Sequence, residues 1–196
     1  GLPHSSESDH FDRMPISAEI HGENGIGQVE LPMPARKPET GDAIDFLIDS
    51  VKQYGKDLIL VPTGPLTNLS AAIEKAPEIT TAIGNVTIMG GALTVPGNVT
   101  QVTEANINQD ASAANNVFTS PLHLTMVGLD VTLRTLLTRK ETQQWRDLNT
   151  ASGKAFADIV DYYIKAYEVT SPDLHGCALH DPFAVGVARS DEHTSE

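Results

Sequence analysis

The stretch from residue 88 to residue 114 restricts the chain more than any other. A β-branched run, Val86-Thr87-Ile88, stops at Met89-Gly90-Gly91. Paired glycines just past a strand let the backbone turn sharply and come close to a ligand. A polar loop follows, with Asn98, Glu104 and Asn106 near one another, and Asp110 then precedes an alanine-rich run as an N-cap precedes a helix. Strand, turn, loop and helix in that order belong to a parallel α/β sheet, where ligands bind at the carboxyl ends of strands. Glutamate between two asparagines suits a polyol: the carboxylate accepts from hydroxyls, and each amide both donates and accepts. Gly-Gly after a strand and Asn in a loop are also ordinary turn chemistry. Spacing alone leaves both readings open.

The rest of the chain repeats the alternation. Residues 1–20 give no clear period, and Ser5 to Asp9 read as a loop. Thr40 is expected to cap a helix reaching Tyr54, with Ile44, Leu47, Ile48 and Val51 as its apolar stripe and Gly55 as its stop. Asp57 to Val61 is a short apolar strand of the kind buried on both faces of a parallel sheet. Pro62-Thr63-Gly64 breaks it, and Pro65 opens a helix that buries Leu66, Leu69 and Ile73. After the central loop come a helix from Ala111 to Phe118 and a strand from His123 to Val127 that ends at Gly128-Leu129-Asp130. Thr138-x-x-Glu141 is a capping-box pattern for a helix carrying Trp145. A long helix over 151–168 gathers Phe156, Ile159, Val160, Tyr163, Ile164 and Tyr167 on one face. Asp181 before Pro182 reads as an N-cap with a first-turn proline. The expected fold class is α/β, a mostly parallel open sheet with helices on both faces. Thr63, Met89 and Asp130 then all stand at carboxyl ends of strands, so their loops converge.

Charge and cysteine usage narrow the partners. The net charge of −13 argues against nucleic acid or an anionic membrane, which need a basic face. The lone cysteine, Cys177, has no partner for an internal disulfide, which fits a reducing compartment such as the cytoplasm. No apolar run is long enough to span a membrane.

The ordered motifs Met89-Gly90-Gly91, Gly97-Asn98, Glu104-Ala105-Asn106-Ile107, Asp110 and His180-Asp181-Pro182 resemble the inosine–uridine-preferring nucleoside hydrolase family. His21, Gly22 and Gly25 match a His-Gly-x-x-Gly loop of that family near its nucleobase pocket. Many members carry Phe where Ala105 stands. The resemblance runs from about residue 19 to residue 188, and residues 1–188 read as one partial domain. Residues 189–196 do not continue the apolar pattern of Ala184 to Ala188; they read as translated sequencing adapter and are set aside.

The resemblance implies hydrolysis of the N-glycosidic bond of ribonucleosides to ribose and a free base. It implies that Met89, Asn98, Glu104, Asn106 and Asp181 bind the sugar, that His21, Tyr163 and Tyr167 line the base pocket, and that His180 assists departure of the base. Calcium is the implied cofactor, held by the Thr63 carbonyl and the Asp181 carboxylate. A homo-oligomer, dimer or tetramer, is implied as well. The family's Asp-x-Asp-x-x-x-Asp-Asp motif is absent from this chain, which therefore reads as a fragment truncated at both ends and catalytically silent by itself. Two other classes stay open. One is a non-catalytic ribose or nucleoside binder. The other is a dinucleotide-binding α/β protein, for which no Gly-x-Gly-x-x-Gly follows any strand.

Overall fold

A computed structural model describes residues 1–191, the side chain of Asp191 excepted. In chain order the elements are α1 (Pro15–His21), α2 (Ala43–Tyr54), β1 (Ile59–Leu60), α3 (Thr67–Lys75), α4 (Ile79–Ala82), β2 (Asn85–Met89), α5 (Ala105–Gln109), α6 (Ala111–Thr119), β3 (Leu124–Val127), α7 (Leu129–Thr132), β4 (Leu136–Leu137), α8 (Arg139–Asp147), α9 (Ala151–Thr170), β5 (Cys177–Ala178) and α10 (Asp181–Asp191). They fall into two compact units. The first comprises Gly1–Phe11, Glu39–Leu133 and the chain from His180 onward; the second comprises Asp12–Pro38 and Arg134–Leu179.

The first unit is built on a parallel sheet of order β1-β2-β3, with Leu60 opposite Val86 and Met89 opposite Val127. Successive strand residues face opposite sides. Val86 and Ile88, wholly buried, pack with Ile48, Val51, Leu66, Leu69 and Val117 from α2, α3 and α6. Met89 points the other way and joins Val127, Leu129 and Ala184 of α10. Both crossovers step in the same direction across the sheet, so α3 and α6 land on one face and pack together, while α10 covers the other. Helices therefore lie on both faces, as expected. Burying each such aliphatic side chain stabilises the fold by about 1.5–3 kcal/mol.

Asp110 ties the N-terminal segment into this unit. It caps α6 through the Ala113 amide at 3.0 Å and accepts from the Ser6 hydroxyl at 2.6 Å and the Thr67 hydroxyl at 2.7 Å. Burial opposes its ionisation, yet the donors from Ser6, Ala113 and Thr67 outweigh it and hold the carboxyl below its ordinary value.

Several local expectations are corrected. Asp42, not Thr40, caps α2: it sits in extended backbone immediately before the first helical residue and accepts from the amides of Ile44 at 2.7 Å and Asp45 at 3.2 Å. The strand expected from Asp57 to Val61 shortens to Ile59–Leu60, because Gly55–Asp57 forms a 3-10 turn leading out of α2. Its residues are half-buried, since β1 lies at the edge of the described sheet. Pairing nevertheless runs past it, with the Met89 amide donating to the Pro62 carbonyl at 2.9 Å. Of the tail set aside above, Arg189, Ser190 and Asp191 continue α10, and residues 192–196 lie outside the described residues.

The second unit is helical around a two-stranded antiparallel pair, β4 with β5. The capping box forms as expected at the start of α8: the Thr138 side chain accepts from the Glu141 backbone, and the Glu141 carboxylate accepts from the Thr138 amide at 2.9 Å. Arg146 on α8 reaches Asp158 at 2.5 Å and Asp161 at 2.9 Å on α9, and Thr142 donates to Asp161 at 2.7 Å. Leu137, Ile164 and Cys177 form the buried centre, flanked by Trp145, Val160, Tyr163 and Tyr167. Phe156 shares the helical angle of Val160, Tyr163 and Tyr167, at about 100° per residue, yet it is 61% exposed. The buried positions of α9 are Gly153, Ala157 and Ile164, centred about 80° round the helix from it.

Candidate functional site

In the first unit the polar residues gather at the carboxyl ends of the parallel strands. An apolar floor of Val61, Met89, Val127, Leu129, Phe183 and Ala184 lies beneath them. Past β2 the chain turns at Gly90-Gly91. Gly91 takes φ 89°, a backbone that side chains rarely adopt, and its amide donates to the Glu104 carboxylate at 3.0 Å. Gly97 meets a different demand. A Cβ there would stand 2.1 Å from the Thr103 carbonyl oxygen, so only glycine lets the two legs of the loop pass.

Glu104 has a second task that the sequence did not suggest. It is the N-cap of α5, accepting from the Asn106 amide at 3.0 Å and the Ile107 amide at 3.2 Å, and it is 3% exposed. With Gly91 that makes three backbone donors. A carboxylate offers about four lone-pair sites, so roughly one acceptor position is left for a ligand. Asn98 accepts from the Ala105 amide at 2.9 Å, which leaves its NH2 to donate. Asn106 donates to the Met89 carbonyl at 3.1 Å and sulfur at 3.3 Å, which leaves its oxygen to accept. The amide orientations are assigned from these bonds. The three side chains expected to meet a sugar thus stand together and retain donor capacity at Asn98 and acceptor capacity at Glu104 and Asn106. Met89 itself is buried beneath them, at 3% exposure.

His180 stands just before α10, half-buried, with Nδ1 2.9 Å from the Thr132 hydroxyl. Asp181 is the first residue of α10 rather than its cap. Although Asp181 is exposed as a residue, its carboxyl is raised above the ordinary value, by desolvation first and by the negative charge of Glu104 second. Thr63 is exposed just beyond β1. Among the described residues, no three His, Cys, Asp or Glu side chains gather as a metal site. Thr132 escaped the sequence reading, which gives Asp130 a place at a strand end but no role. Thr132 is wholly buried, and the Oδ1 of Asp130 is buried without a hydrogen-bond partner among the described residues. The helical spacing of Leu129 and Thr132 was the available signal, but α7 is a single turn.

The second unit carries the aromatic residues. The His21 ring, at the end of α1, stacks on Tyr163 with centroids 5.3 Å apart and planes 19° from parallel. Tyr163 meets Tyr167 edge-on at 5.0 Å. Desolvation, followed by the positive Arg13, lowers the His21 pKa, so this ring stays neutral to lower pH than a free histidine. The Tyr167 hydroxyl is pushed up, again chiefly by burial.

Comparison with known proteins agrees with this architecture. A family profile described as inosine-uridine preferring nucleoside hydrolase matches residues 5–195. Uridine nucleosidase 1 of Arabidopsis thaliana is 35% identical over 176 residues, covering 89% of this chain and 52% of that protein. A pyrimidine-specific ribonucleoside hydrolase of Salmonella typhi is 31% identical, covering 87% of this chain and 54% of that protein. The solved structure of a purine-preferring ribonucleoside hydrolase from Gardnerella vaginalis superposes with a TM-score of 0.94 at 62% identity, over 95% of this chain and 59% of that one. The chain thus spans about half the length of the first two relatives. Profile, relatives and fold agree: the chain belongs to the inosine-uridine preferring nucleoside hydrolase family.

Proposed function

We propose that the protein hydrolyses the N-glycosidic bond of ribonucleosides, releasing ribose and a free base. The observation that carries this reading is the residual hydrogen-bonding capacity of Asn98, Glu104 and Asn106, held together above an apolar floor at the carboxyl ends of the parallel strands. Breaking the bond builds positive charge on the ribose ring, an oxocarbenium-like state. Glu104 and Asp181 bring negative charge to that end of the sheet, and the asparagines hold ribose hydroxyls in place. Met89 supports Asn106 from below. The bonding electron pair leaves with the base, where an N–H of His180 stabilises it; water then bonds to C1′ of the sugar cation, and the proton it releases goes to the departed base. In the second unit, His21, Tyr163 and Tyr167 form a surface of the chemistry that receives a planar base.

Calcium takes six to eight oxygen ligands. The Thr63 carbonyl and the Asp181 carboxylate are two, and no trio of ligating side chains stands among the described residues. These residues do not fit the ion by themselves, and no step above depends on it. That same observation favours a second reading, a ribose or nucleoside binder without turnover. The proposed location is the cytoplasm, supported by a single cysteine without a disulfide partner in the chain. No helix among the described residues is long and apolar enough to cross a membrane. The proposed assembly is a homo-oligomer, in which Leu93 and Val102, apolar and 75% and 80% exposed, would be covered by a second copy.

The test is product analysis with the protein expressed from its complete reading frame. Inosine and uridine should each yield one reducing sugar per base released. Nucleoside binding without release of either product would replace the hydrolase reading by the binding one.

A further inference from the structure

The Thr132 hydroxyl is wholly buried, on the single turn that follows β3, and its hydrogen bond goes to Nδ1 of His180 at 2.9 Å. Leu129 and Thr132 lie three apart on α7 and share its buried side, so the backbone holds the hydroxyl in place. The Thr132 amide donates to the Gly128 carbonyl at 3.1 Å, which anchors the turn to the end of β3. Thr132 therefore has little freedom to swing away from the imidazole.

A hydroxyl has one proton and two lone pairs. If Thr132 accepted from an Nδ1–H, its own proton would have no acceptor among the described residues, in a fully buried place. An unsatisfied buried donor costs more than an unused lone pair. The favoured arrangement is therefore Thr132 O–H donating to Nδ1, which leaves the proton of the neutral ring on Nε2. The nitrogen that carries a proton is set by the bond the other nitrogen makes.

We propose that Thr132 is a positioning residue for His180: its hydroxyl orients the imidazole and fixes the tautomer in which Nε2–H faces the departing base. This rests on the hydrolase reading above. No proton moves in the step. The C1′–N electron pair passes to the base nitrogen, and Nε2–H stabilises it by a hydrogen bond while His180 stays neutral. Leaving groups that carry the charge themselves do not need that bond.

Two measurements test it. The first needs no variant: nitrogen-15 NMR of the neutral His180 ring in the 196-residue chain should give an unprotonated Nδ1 and a protonated Nε2. The reverse pattern would overturn the proposal. The second uses the protein from its complete reading frame. Thr132→Val, which keeps shape and removes the hydroxyl, should lower kcat on inosine about tenfold with KM nearly unchanged, the scale of one lost hydrogen bond. It should leave nitrophenyl riboside turnover close to wild type, and Thr132→Ser should restore the natural reaction. Equal losses on both substrates, or no rescue by serine, would overturn the proposal. His180→Ala separates the two levels. If it spares inosine hydrolysis, the role given to His180 falls. If it abolishes inosine hydrolysis while Thr132→Val changes nothing, only the proposal about Thr132 falls.

Discussion

Glu104→Gln is the perturbation whose cost can be worked most directly from the structure. The carboxylate accepts three backbone bonds, from Gly91, Asn106 and Ile107, at 3.0, 3.0 and 3.2 Å. Glutamine preserves the shape but keeps one acceptor oxygen. Placed where Gly91 and Ile107 donate, that oxygen serves both; the NH2 group then faces the Asn106 amide, donor against donor. One bond to a charged group is lost, worth about 1.5–3 kcal/mol. The other two fall from charge-assisted to neutral strength, roughly half. A destabilisation of about 3 kcal/mol follows, which lowers Tm by roughly 6–12 °C for a chain of this size. Circular dichroism melting measures the total, and amide hydrogen exchange at Gly91, Asn106 and Ile107 locates it. A Tm within 2 °C of wild type, as an order-of-magnitude threshold, with unchanged protection at those amides would refute the claim that this carboxylate organises the loop. Any loss of ribose affinity in Glu104→Gln must be read against that structural effect.

Gly97→Ala should destabilise the loop by about 1–3 kcal/mol, since its Cβ would enter the Thr103 carbonyl; limited proteolysis within 98–103 should accelerate, and an unchanged cleavage rate would contradict the close approach. Asp181→Asn should stabilise the protein at pH 7 but not below about pH 4: a carboxyl whose folded pKa is raised favours the fold while protonated, and that contribution is lost as pH rises through the folded pKa, so urea midpoints of wild type and variant should separate with rising pH. Cys177, buried and with its thiol pushed up to about 11, should resist alkylation at pH 8 until the chain is unfolded; rapid labelling of native protein would refute its burial. Calorimetric titration of the 196-residue chain with calcium should show no micromolar binding, and such binding would reveal ligands outside the pairing of Thr63 with Asp181.

The alternation of elements was legible because local chemistry agreed with the global fold. The Val86–Met89 run, the Asp110 cap and the Thr138–Glu141 box all formed where their residues predicted. The misses came where a residue had more than one possible task. The capping role of Glu104 went unread beside its reading as a ligand group, because α5 is a five-residue helix with no apolar period to announce it. Thr40 and Asp42 are both residues that cap helices, and the helix uses Asp42. α1 carries no buried residue, so it left no periodic trace. Phe156 has the core spacing of Tyr163 and Tyr167 but is 61% exposed, because spacing does not say which part of a helix face is covered. The bond between Thr132 and His180 spans 48 residues and depends on β3 and α10 being brought together, which no local signal encodes.

The bond between Gly91 and Glu104 divides the central segment into two mechanical regimes. Its two ends are fastened to each other, and the turn is fastened again to β3 by the Gly90 amide on Val127 and the Leu129 amide on the Gly91 carbonyl. The residues between form a closed span with its own internal bonds, Gly97 to Gln101 and Val99 to Thr103, so added length at its tip hardly loads the anchors. Doubling such a span costs only about 0.6 kcal/mol in closure entropy. Insertions around Val99 to Val102, which are exposed, should therefore leave Glu104 and Asn106 where they are. The outer span can then change in reach, while the clasp at its base keeps Glu104 and Asn106 in register.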